Sequence, residues 1–465
     1  MKKNFSYIVI GSGSSGLVIA IGLARAKKDV LLIEKGNFGG DCTNYGCIPS
    51  KSIIASAKAA HFITSSKDFG IGLDLNSINL DNSLQRTRNI VEEVRSTEDK
   101  NALEKHGVTV LQGKALFLDK HTLNVETGKD SFQVLGKKII IATGSSPKIP
   151  EIENLHTVNY LTNESVFELK KIPQSLIVLG GGPIGAELAQ TFQRLGAKVS
   201  LVHSHKTLLT RESEKTGKVL KETFENEGIQ LFLSSHPKSI DKTSNGILLK
   251  VEENDSKEIR TIEAEKILIA TGRKPNIDLD LEKASIDFTE NGISTNAYKQ
   301  TSQKHIYAVG DCSGPPFFTH LAEHQARTVL QSLLLFRKKV DLQPIPRVTY
   351  TDPEVATIGL TEEEALPNMK VYYLPFSKID RAVCEGKTNG FITIVTKKWS
   401  SKILGATIVG PHAGELLMEI ALAMKFNIPL RKLNKVIHAY PIYSRGFRKI
   451  SDLYLTETLL PLFKK

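Results

Sequence analysis

The chain contains one glycine pattern twice, and each copy stands between a short apolar run and an apolar stretch of helical period. The copies are Gly11-Ser12-Gly13-Ser14-Ser15-Gly16 and Gly180-Gly181-Gly182-Pro183-Ile184-Gly185. Glycines at this spacing permit a tight turn from a buried parallel strand into a helix and let the backbone approach a pyrophosphate. The helix N-terminus then stabilises the negative charge. The repeat therefore predicts an α/β fold with two Rossmann-like dinucleotide-binding domains.

One residue distinguishes the two copies at the end of the strand that follows each turn. Glu34 stands there in the first copy, where an acid can accept hydrogen bonds from a ribose. His203 takes the same place in the second copy, and Lys206 follows it. An acid would repel the 2′-phosphate of NADPH, so its replacement by His203 and Lys206 favours NADPH as the nucleotide, with NADH as the alternative.

Cys42 and Cys47 lie close together in a chain that has only four cysteines. So few cysteines cannot form a disulfide scaffold, and their use fits a reducing, cytoplasmic compartment with one catalytic pair. Residues five apart in a regular helix are separated by about 7.5 Å of rise, whereas a disulfide requires Cα atoms within about 7 Å. We therefore expect a distorted helix and a readily reduced disulfide. No further soft ligands are evident near the pair, so we predict no metal site.

Composition argues against several other classes of protein. The length of 465 residues suggests about three domains. The formal charge of +11 comes from scattered Lys and Arg without a basic run, so we expect no nucleic-acid partner. The glycine pattern interrupts the apolar stretch over residues 7–23, which argues against a signal peptide or a stable membrane span. The tail over residues 447–465 could lie on a membrane, but dimer packing fits its short length better.

Residues 39–51 read Gly-Gly-Asp-Cys-Thr-Asn-Tyr-Gly-Cys-Ile-Pro-Ser-Lys, and this segment closely resembles the redox-active motif of the flavoprotein disulfide reductases. That family includes dihydrolipoamide dehydrogenase, glutathione reductase and mercuric reductase. Further matching segments extend the resemblance over essentially the whole chain, namely residues 143–145, 271–276, 306–311, 350–354 and 359–361.

The resemblance implies a homodimer that uses FAD and NADPH and acts on a small-molecule acceptor. It also implies an FAD-binding domain in two parts, residues 1–150 and 276–343, on either side of an NAD(P)-binding domain at 151–275. Residues 344–465 would form a C-terminal α+β dimerisation domain.

The resemblance also assigns roles to the predicted catalytic residues by their position. Cys47 would be the thiolate next to the flavin, and Cys42 the interchange thiol that faces the substrate. Lys51 would lie near the flavin N5 and pair with Glu187. Tyr440 is the fifth predicted catalytic residue. It lies in the C-terminal segment, which in this family reaches the cysteines of the partner subunit.

Other residues are expected from their position in the motifs to bind FAD or the pyridine nucleotide. Asp311 would hold the ribityl chain, and residues 318–320 would begin a helix directed at the flavin pyrimidine ring. The full predicted set is Gly11, Gly13, Ser14, Ser15, Gly16, Glu34, Lys35, Gly40, Asp41, Cys42, Lys51, Gly113, Ala115, Thr143, Gly144, Ser145, Gly180, Gly182, Pro183, Ile184, Gly185, His203, Lys206, Gly272, Arg273, Gly310, Asp311, Phe318, Thr319 and His320.

The C-terminal segment departs from the family pattern. Disulfide-reducing members carry a His-Pro-x-x-x-Glu segment whose His exchanges protons with the interchange thiol. Here Tyr440 occupies the His position and Arg445 the Glu position, and His438 lies two residues early. Tyrosine, with an ordinary pKa near 10, is a poor proton shuttle at pH 7. Tyr440 resembles the mercuric reductases, although their terminal cysteine pair is missing, and a role for His438 stays open.

Several functions remain open at this point. The acceptor could be a small disulfide, a thiol-bound metal or a persulfide, and the first case includes dihydrolipoamide dehydrogenase or glutathione reductase activity. A flavin-level quinone or dye reductase with vestigial cysteines is a second class, against which the intact motif with Lys51 argues. A non-catalytic nucleotide-binding subunit is a third class, against which Glu187 and the complete second glycine pattern argue.

Overall fold

The computed structural model describes residues 3–72, 79–128, 130–244, 246–342 and 344–463. Residues 464–465 of the predicted interface tail lie outside these ranges. The helices are α1 Ser14–Arg25, α2 Gly40–Asn44, α3 Cys47–Thr64, α4 Asn82–Ser96, α5 Lys100–Lys105, α6 Pro183–Arg194, α7 Glu214–Asn226, α8 Thr319–Leu334, α9 Asp380–Cys384, α10 Ala413–Lys425 and α11 Arg445–Tyr454. Within those ranges, no helix has the length and apolarity needed to cross a bilayer.

In the described residues the strands form four sheets of three or more strands and two sheets of two strands. They are β1 Asn4–Ile10, β2 Val30–Glu34, β3 Thr109–Gln112, β4 Lys114–Phe117, β5 Thr122–Thr127, β6 Asp130–Ile141, β7 Ser145–Pro147, β8 Ser175–Leu179, β9 Lys198–Val202, β10 Gln230–Phe232, β11 Ser235–Lys242, β12 Ile247–Glu253, β13 Ile259–Ala264, β14 Lys266–Ile269, β15 Arg273–Pro275, β16 Phe288–Thr289, β17 Gly292–Ile293, β18 Ile306–Ala308, β19 Pro346–Thr349, β20 Glu354–Gly359, β21 Met369–Pro375, β22 Phe391–Lys397 and β23 Ile403–Gly410.

The first sheet is built around β1, a largely buried apolar strand. Its order is β3-β2-β1-β6-β5-β4, and β18 adds to β6 from far along the chain. Parallel pairing of β1 with β2 and β6 is typical of strands whose sequence is apolar without alternation. The first glycine turn therefore lies at the carboxyl edge of a parallel sheet, where ligands of such folds bind.

The second sheet repeats this arrangement after the second glycine turn. Its order is β10-β9-β8-β14, and each of these pairs is parallel. An antiparallel sheet of β11, β12 and β13 flanks it and has no counterpart in the sequence-based prediction. Strands β7 and β15 pair with each other and place Ser145 opposite Pro275. The segments that follow the two parallel sheets therefore lie side by side.

The C-terminal part has its own antiparallel sheet and its own core. The order is β19-β20-β23-β22-β21, and α10 and α11 pack against it. Tyr372, Phe376 and Phe447 are among its fully buried side chains. The predicted fold class, two Rossmann-like domains followed by an α+β domain, is confirmed.

Arg194, the last residue of α6, joins the second nucleotide-binding unit to the C-terminal part. Its side chain is only 5% exposed and lies 2.6 Å from Glu227 and 3.0 Å from Asp352. Asp352 follows the first strand of the C-terminal sheet. Removing the guanidinium would leave Glu227 with the neutral Gln190 amide at 2.9 Å and Asp352 with the more distant Lys387 ammonium at 3.9 Å.

Replacing Arg194 with Met should lower the free energy of unfolding by about 3–5 kcal/mol, because breaking a buried ion pair takes the main cationic partner away from both carboxylates. Chemical denaturation followed by circular dichroism measures this loss. Arg327→Met is the matched control, since Arg327 pairs with Glu323 on an exposed face of α8, where such pairs contribute about 1 kcal/mol or less. Equal losses in the two variants would contradict the structural role of Arg194.

Candidate active site

A cavity of about 2320 Å³ runs between the two nucleotide-binding units and reaches the C-terminal part. Both glycine turns and both cysteines of the predicted redox pair line it. All predicted site residues lie on its wall except Gly16, Gly185, Lys206, Gly310 and Tyr440. The structure therefore gathers most of the predicted residues, which come from distant parts of the chain, around one space.

Two of the glycines outside the wall act behind it by allowing close backbone packing. A Cβ atom on Gly16 would lie 1.9 Å from the Gly11 carbonyl oxygen, and one on Gly185 would lie 1.8 Å from that of Gly180. No side chain fits at either distance. These two residues close the turns, and the other glycines of the turns present the backbone to the cavity.

Glu34 stabilises the first glycine turn directly. One carboxylate oxygen accepts hydrogen bonds from the Ser12 backbone N–H at 2.7 Å and the Ser12 hydroxyl at 2.8 Å. The other oxygen accepts from the backbone N–H of Gly36 at 2.8 Å. The acid thus fixes the shape of the turn as well as lining the cavity.

The two cysteines lie on separate helices. Cys42 belongs to α2 and Cys47 begins α3, with Tyr45 and Gly46 between the two helices. The expected single distorted helix is therefore wrong, because the backbone at Gly46 leaves the helical conformation and a new helix starts after it. Both residues are free thiols in the structure, and their sulfur atoms share a hydrogen bond.

This hydrogen bond makes the two thiols chemically different. It lowers the pKa of Cys47 to about 6, assisted by the Thr319 hydroxyl and the charge of Lys51 and opposed by burial. The Thr319 oxygen lies 3.4 Å from the Cys47 sulfur. The same bond and burial raise the pKa of Cys42 far above that of a free thiol. The two opposite shifts favour the negative charge on Cys47 and the proton on Cys42.

Lys51 and Glu187 form an ion pair 2.8 Å long on the cavity wall. Burial works against the charged Lys51 ammonium, but the attraction of Glu187 outweighs it and the pKa of Lys51 is raised. The second oxygen of Glu187 accepts a hydrogen bond from the Tyr350 backbone N–H at 2.9 Å. The Tyr350 ring lies 4.5 Å from the ammonium. The sequence analysis did not predict Tyr350 as a site residue. It lies in a segment that was matched to the family only as the start of the C-terminal domain.

A second polar network lies on the same wall. The Ser145 hydroxyl donates to Asp311 at 2.6 Å and accepts from Arg273 at 2.8 Å. Arg273 also lies 3.1 Å from Asp41. Burial raises the pKa of Asp311, although the bond from Ser145 opposes this effect. Four predicted cofactor-binding residues are thus held in one connected group.

His203 differs from the role that its sequence position suggested. Its Nδ1 accepts a hydrogen bond from the Gly181 backbone N–H at 3.0 Å. Burial and the neighbouring His205 lower the pKa of His203 to about 4, so the ring is neutral at pH 7. His203 therefore supplies no positive charge for a 2′-phosphate, and Lys206 lies off the cavity wall. His205 and Arg211 are the basic residues that line the cavity near this turn.

Tyr440 and His438 lie away from the cysteines of their own chain. Tyr440 is 64% exposed, and the Arg445 guanidinium lies over its ring at 4.6 Å. Both ring nitrogens of His438 face acceptors within the chain. Nε2 lies 3.1 Å from Glu419 and Nδ1 lies 3.0 Å from the Val436 carbonyl oxygen. His438 is therefore occupied, and Tyr440 is the side chain that is free to meet another molecule.

Family profiles match almost the whole chain. The profile of the pyridine nucleotide-disulphide oxidoreductases matches residues 5–326. The profile of the dimerisation domain of the same family matches residues 345–450.

Individual relatives are similar over nearly the full length. Mercuric reductase of Lysinibacillus sphaericus is 32% identical over 453 residues, which is 96% of this chain and 82% of the relative. Dihydrolipoyl dehydrogenase of Chlamydia trachomatis is 32% identical over 474 residues and 100% of both chains. Among solved structures, the Cu(II) complex of RclA, an HOCl-induced flavoprotein disulfide reductase from Escherichia coli, has a TM-score of 0.87. It is 26% identical and covers 97% of this chain and 100% of that chain.

In the reduced protein, alkylation of Cys47 by iodoacetamide should rise with pH through a midpoint near 6 and be lost below it, because only the thiolate reacts. Thr319→Val should raise that midpoint by roughly 0.5–1 pH unit, since a hydrogen bond contributes about 0.5–1.5 kcal/mol and 1.36 kcal/mol corresponds to one pH unit. Mass spectrometry assigns the alkylated residue.

Thr319→Ser is the matched control for this experiment, because it keeps the hydroxyl group and should keep the midpoint of wild type. A lower pH midpoint of alkylation for Cys42 than for Cys47 would show that the two thiols have been assigned the wrong way round. An unchanged midpoint in Thr319→Val would show that the Thr319 hydroxyl does not stabilise the thiolate.

Proposed function

The chain belongs to the pyridine nucleotide-disulphide oxidoreductases, and on that premise we propose that its dithiol reduces a thiophilic metal ion with electrons from NADPH. The family resemblance, the oxidoreductase class and the use of FAD and a pyridine nucleotide are confirmed by this membership. The acceptor, the preference for NADPH and the role of each residue are the proposal.

The residues around the cavity fit FAD. Gly13 and Gly40 pack backbone to backbone at the first turn, since a Cβ atom on Gly40 would lie 2.5 Å from the Gly13 Cα atom. Neither residue has a side chain that would block a pyrophosphate there. Gly113 and Ala115 line the cavity on the side of Glu34, whose carbonyl oxygen accepts the Gly113 N–H, and the partly buried Asp311 carboxylate lines it beside Ser145. We infer that FAD lies between these two groups of residues.

We propose the same domain boundaries that the sequence predicted. Strand β18 completes the first sheet, which supports assigning residues 1–150 and 276–343 to one FAD-binding domain. Residues 151–275 contain the second parallel sheet and would bind the nicotinamide nucleotide. Residues 344–465 would form the dimer interface.

When bound, FAD accepts a hydride from the nicotinamide and passes an electron pair to a neighbouring disulfide. In the proposed cycle Cys42 and Cys47 start as that disulfide and become a dithiol. The hydrogen bond between them keeps the proton on Cys42 and the negative charge on Cys47. The charged Lys51, fixed by Glu187, stabilises this thiolate.

A metal ion is the acceptor that the C-terminal segment favours. His438 has both ring nitrogens engaged within its chain, so no free imidazole next to Tyr440 can carry protons for a leaving thiol. A thiophilic ion M(II) needs no such proton. The Cys42 thiol and the Cys47 thiolate together lose two electrons and one proton and form one disulfide, while one M(II) gains both electrons or two M(II) gain one each. The Cys42 proton passes to solvent or to a departing thiolate ligand of the metal. The L. sphaericus relative is a mercuric reductase, and RclA has been solved with Cu(II).

Reduction of a small disulfide is the second candidate. The full-length similarity to dihydrolipoyl dehydrogenase supports it. His438 paired with Glu419 would then have to release its present contacts and act as a relocated base.

The site is proposed to be completed by a second copy of the chain. The chain carries a dimerisation domain, and Met418 and Leu422 of α10 are exposed together with Phe426, which follows the helix. Ile437 is 95% exposed and precedes His438, which bonds Glu419 of α10. Met418 also lines the cavity that contains the cysteines. A second chain seated on this face would bring its own Tyr440 segment to the cavity mouth.

We propose a reducing, cytoplasmic location because the cysteines of the chain are free thiols. Cys384 is an exposed free thiol. Such a thiol persists where cellular reductants keep it from oxidation.

The enzyme should prefer NADPH to NADH in kcat/KM, because no acid stands at the position of His203 and Arg211 lines the cavity near it. Arg211→Ala should lower kcat/KM for NADPH by about tenfold, the size of one charge-assisted contact, and change that for NADH little. Lys206→Ala is the control, since Lys206 lies off the wall. An NADH preference in wild type would overturn the assignment.

Thiolate complexes of Hg(II) or Cu(II) should be turned over, whereas oxidised glutathione and lipoamide should react about 10²–10⁴-fold more slowly, the usual contribution of acid–base help. Steady-state NADPH oxidation measures each rate. Cys42→Ser should abolish metal turnover but leave dye reduction at the flavin, and Tyr440→Phe should lower metal turnover only severalfold.

Robust lipoamide or glutathione turnover would contradict the metal assignment. In that case His438→Asn distinguishes the explanations, because loss of the activity would identify His438 as a relocated base. Metal turnover that survives in Cys42→Ser would show that the acceptor is reduced at the flavin.

A further inference from the structure

The C-terminal segment that carries Tyr440 is strongly basic. Residues 430–450 contain no Asp or Glu, and their basic side chains apart from His438 are Arg431, Lys432, Lys435, Arg445, Arg448 and Lys449. The family pattern places a carboxylate at the position of Arg445. The local charge near the proposed acceptor site is therefore reversed from negative to positive.

Arg445 carries an uncompensated charge. Its guanidinium lies over the exposed Tyr440 ring at 4.6 Å, and within the described part of the chain it has no ion pair. The carboxylates bonded to this segment are already engaged, because Glu419 bonds His438 and Glu385 bonds both Tyr443 and Arg381. A ligand that reaches Tyr440 therefore meets a cation with no carboxylate to neutralise it.

The contact with the Tyr440 ring also fixes the position of the Arg445 guanidinium. A guanidinium over an aromatic face loses little freedom when it binds an anion, because its plane is already oriented. Its five N–H donors match carboxylate oxygens, and a Lys ammonium at the same place would not reproduce that geometry. Arg445 is thus suited to recognise carboxylate groups on the ligands of an incoming metal.

We propose that Arg445 selects negatively charged acceptors, so that the natural substrate is a metal ion carried by anionic, carboxylate-bearing thiolates. This inference rests on the proposed function, because it concerns the metal complex that the Cys42–Cys47 dithiol reduces. Arg445 acts on substrate choice and takes no part in electron transfer. The electron balance of the step is unchanged, and the thiolate ligands leave after the metal is reduced.

The test uses one metal with ligands that differ in charge. Hg(II) is supplied as its bis-complex with 3-mercaptopropionate, 2-mercaptoethanol or cysteamine, which carry negative, neutral and positive groups on the same sulfur chemistry. The full-length protein with FAD is assayed by NADPH oxidation. Wild type should show kcat/KM about tenfold higher for the anionic complex than for the neutral one, and the ratio should fall as salt screens the charge.

Variants of Arg445 should change this ratio in a graded order. Arg445→Met should bring the anionic and neutral complexes to equal kcat/KM, Arg445→Lys should keep part of the preference, and Arg445→Glu should favour the cationic complex. The ratio within each variant is insensitive to a general loss of activity. Arg431→Met is the matched control, because Arg431 belongs to the same basic segment but bonds Ser401, and it should keep the wild-type ratio.

Two results separate this inference from the proposed function. Equal turnover of the three complexes by wild type, or an unchanged ratio in Arg445→Met, would overturn the role of Arg445 and leave metal reduction standing. No turnover of any complex, while the flavin is still reduced by NADPH, would overturn the proposed function and this inference with it.

Discussion

The ion pair between Lys51 and the buried Glu187 carboxylate joins the three parts of the molecule that the proposed electron transfer brings together. Lys51 belongs to the helix that Cys47 begins, and Glu187 belongs to the helix after the second glycine turn. The same carboxylate bonds the backbone of Tyr350, where the C-terminal part starts. Because one acid serves both contacts, losing either would leave a buried charge poorly compensated. The position of the thiolate relative to the nucleotide site depends on this pair.

That framework gives the two cysteines unequal tasks. The sulfur atoms share one hydrogen bond, which favours the charge on Cys47 and the proton on Cys42. The Thr319 hydroxyl and the Lys51 charge reinforce the same direction. A dithiol arranged in this way stores its charge on the inner sulfur, while the outer sulfur remains a protonated thiol until an acceptor arrives. In the proposed cycle this arrangement separates acceptor chemistry at Cys42 from the chemistry at the flavin.

In the proposed function, the C-terminal segment selects the kind of acceptor that can use that dithiol. Its imidazole, His438, is held by Glu419 and a backbone carbonyl, so the segment offers a phenol and a cation instead of a base and an acid. A base would serve thiol leaving groups, which need protons. A cation beside a phenol serves an acceptor that arrives with negative charge and leaves without a proton. The proposed metal substrate and the proposed role of Arg445 follow from the same change.

The sequence by itself determined both glycine turns, the parallel sheets around them and the identity of the redox pair, because these depend on residues adjacent in the chain. Only the tertiary structure decided the charge on His203, the engagement of His438 and the place of Tyr350 beside Lys51. Those properties come from burial and from partners far along the chain. Lys51 and Glu187, for example, are 136 positions apart. The spacing of glycines along the chain can predict a turn. The pKa of a side chain and the hydrogen bonds of a ring nitrogen depend on the distant segment that packs against that side chain.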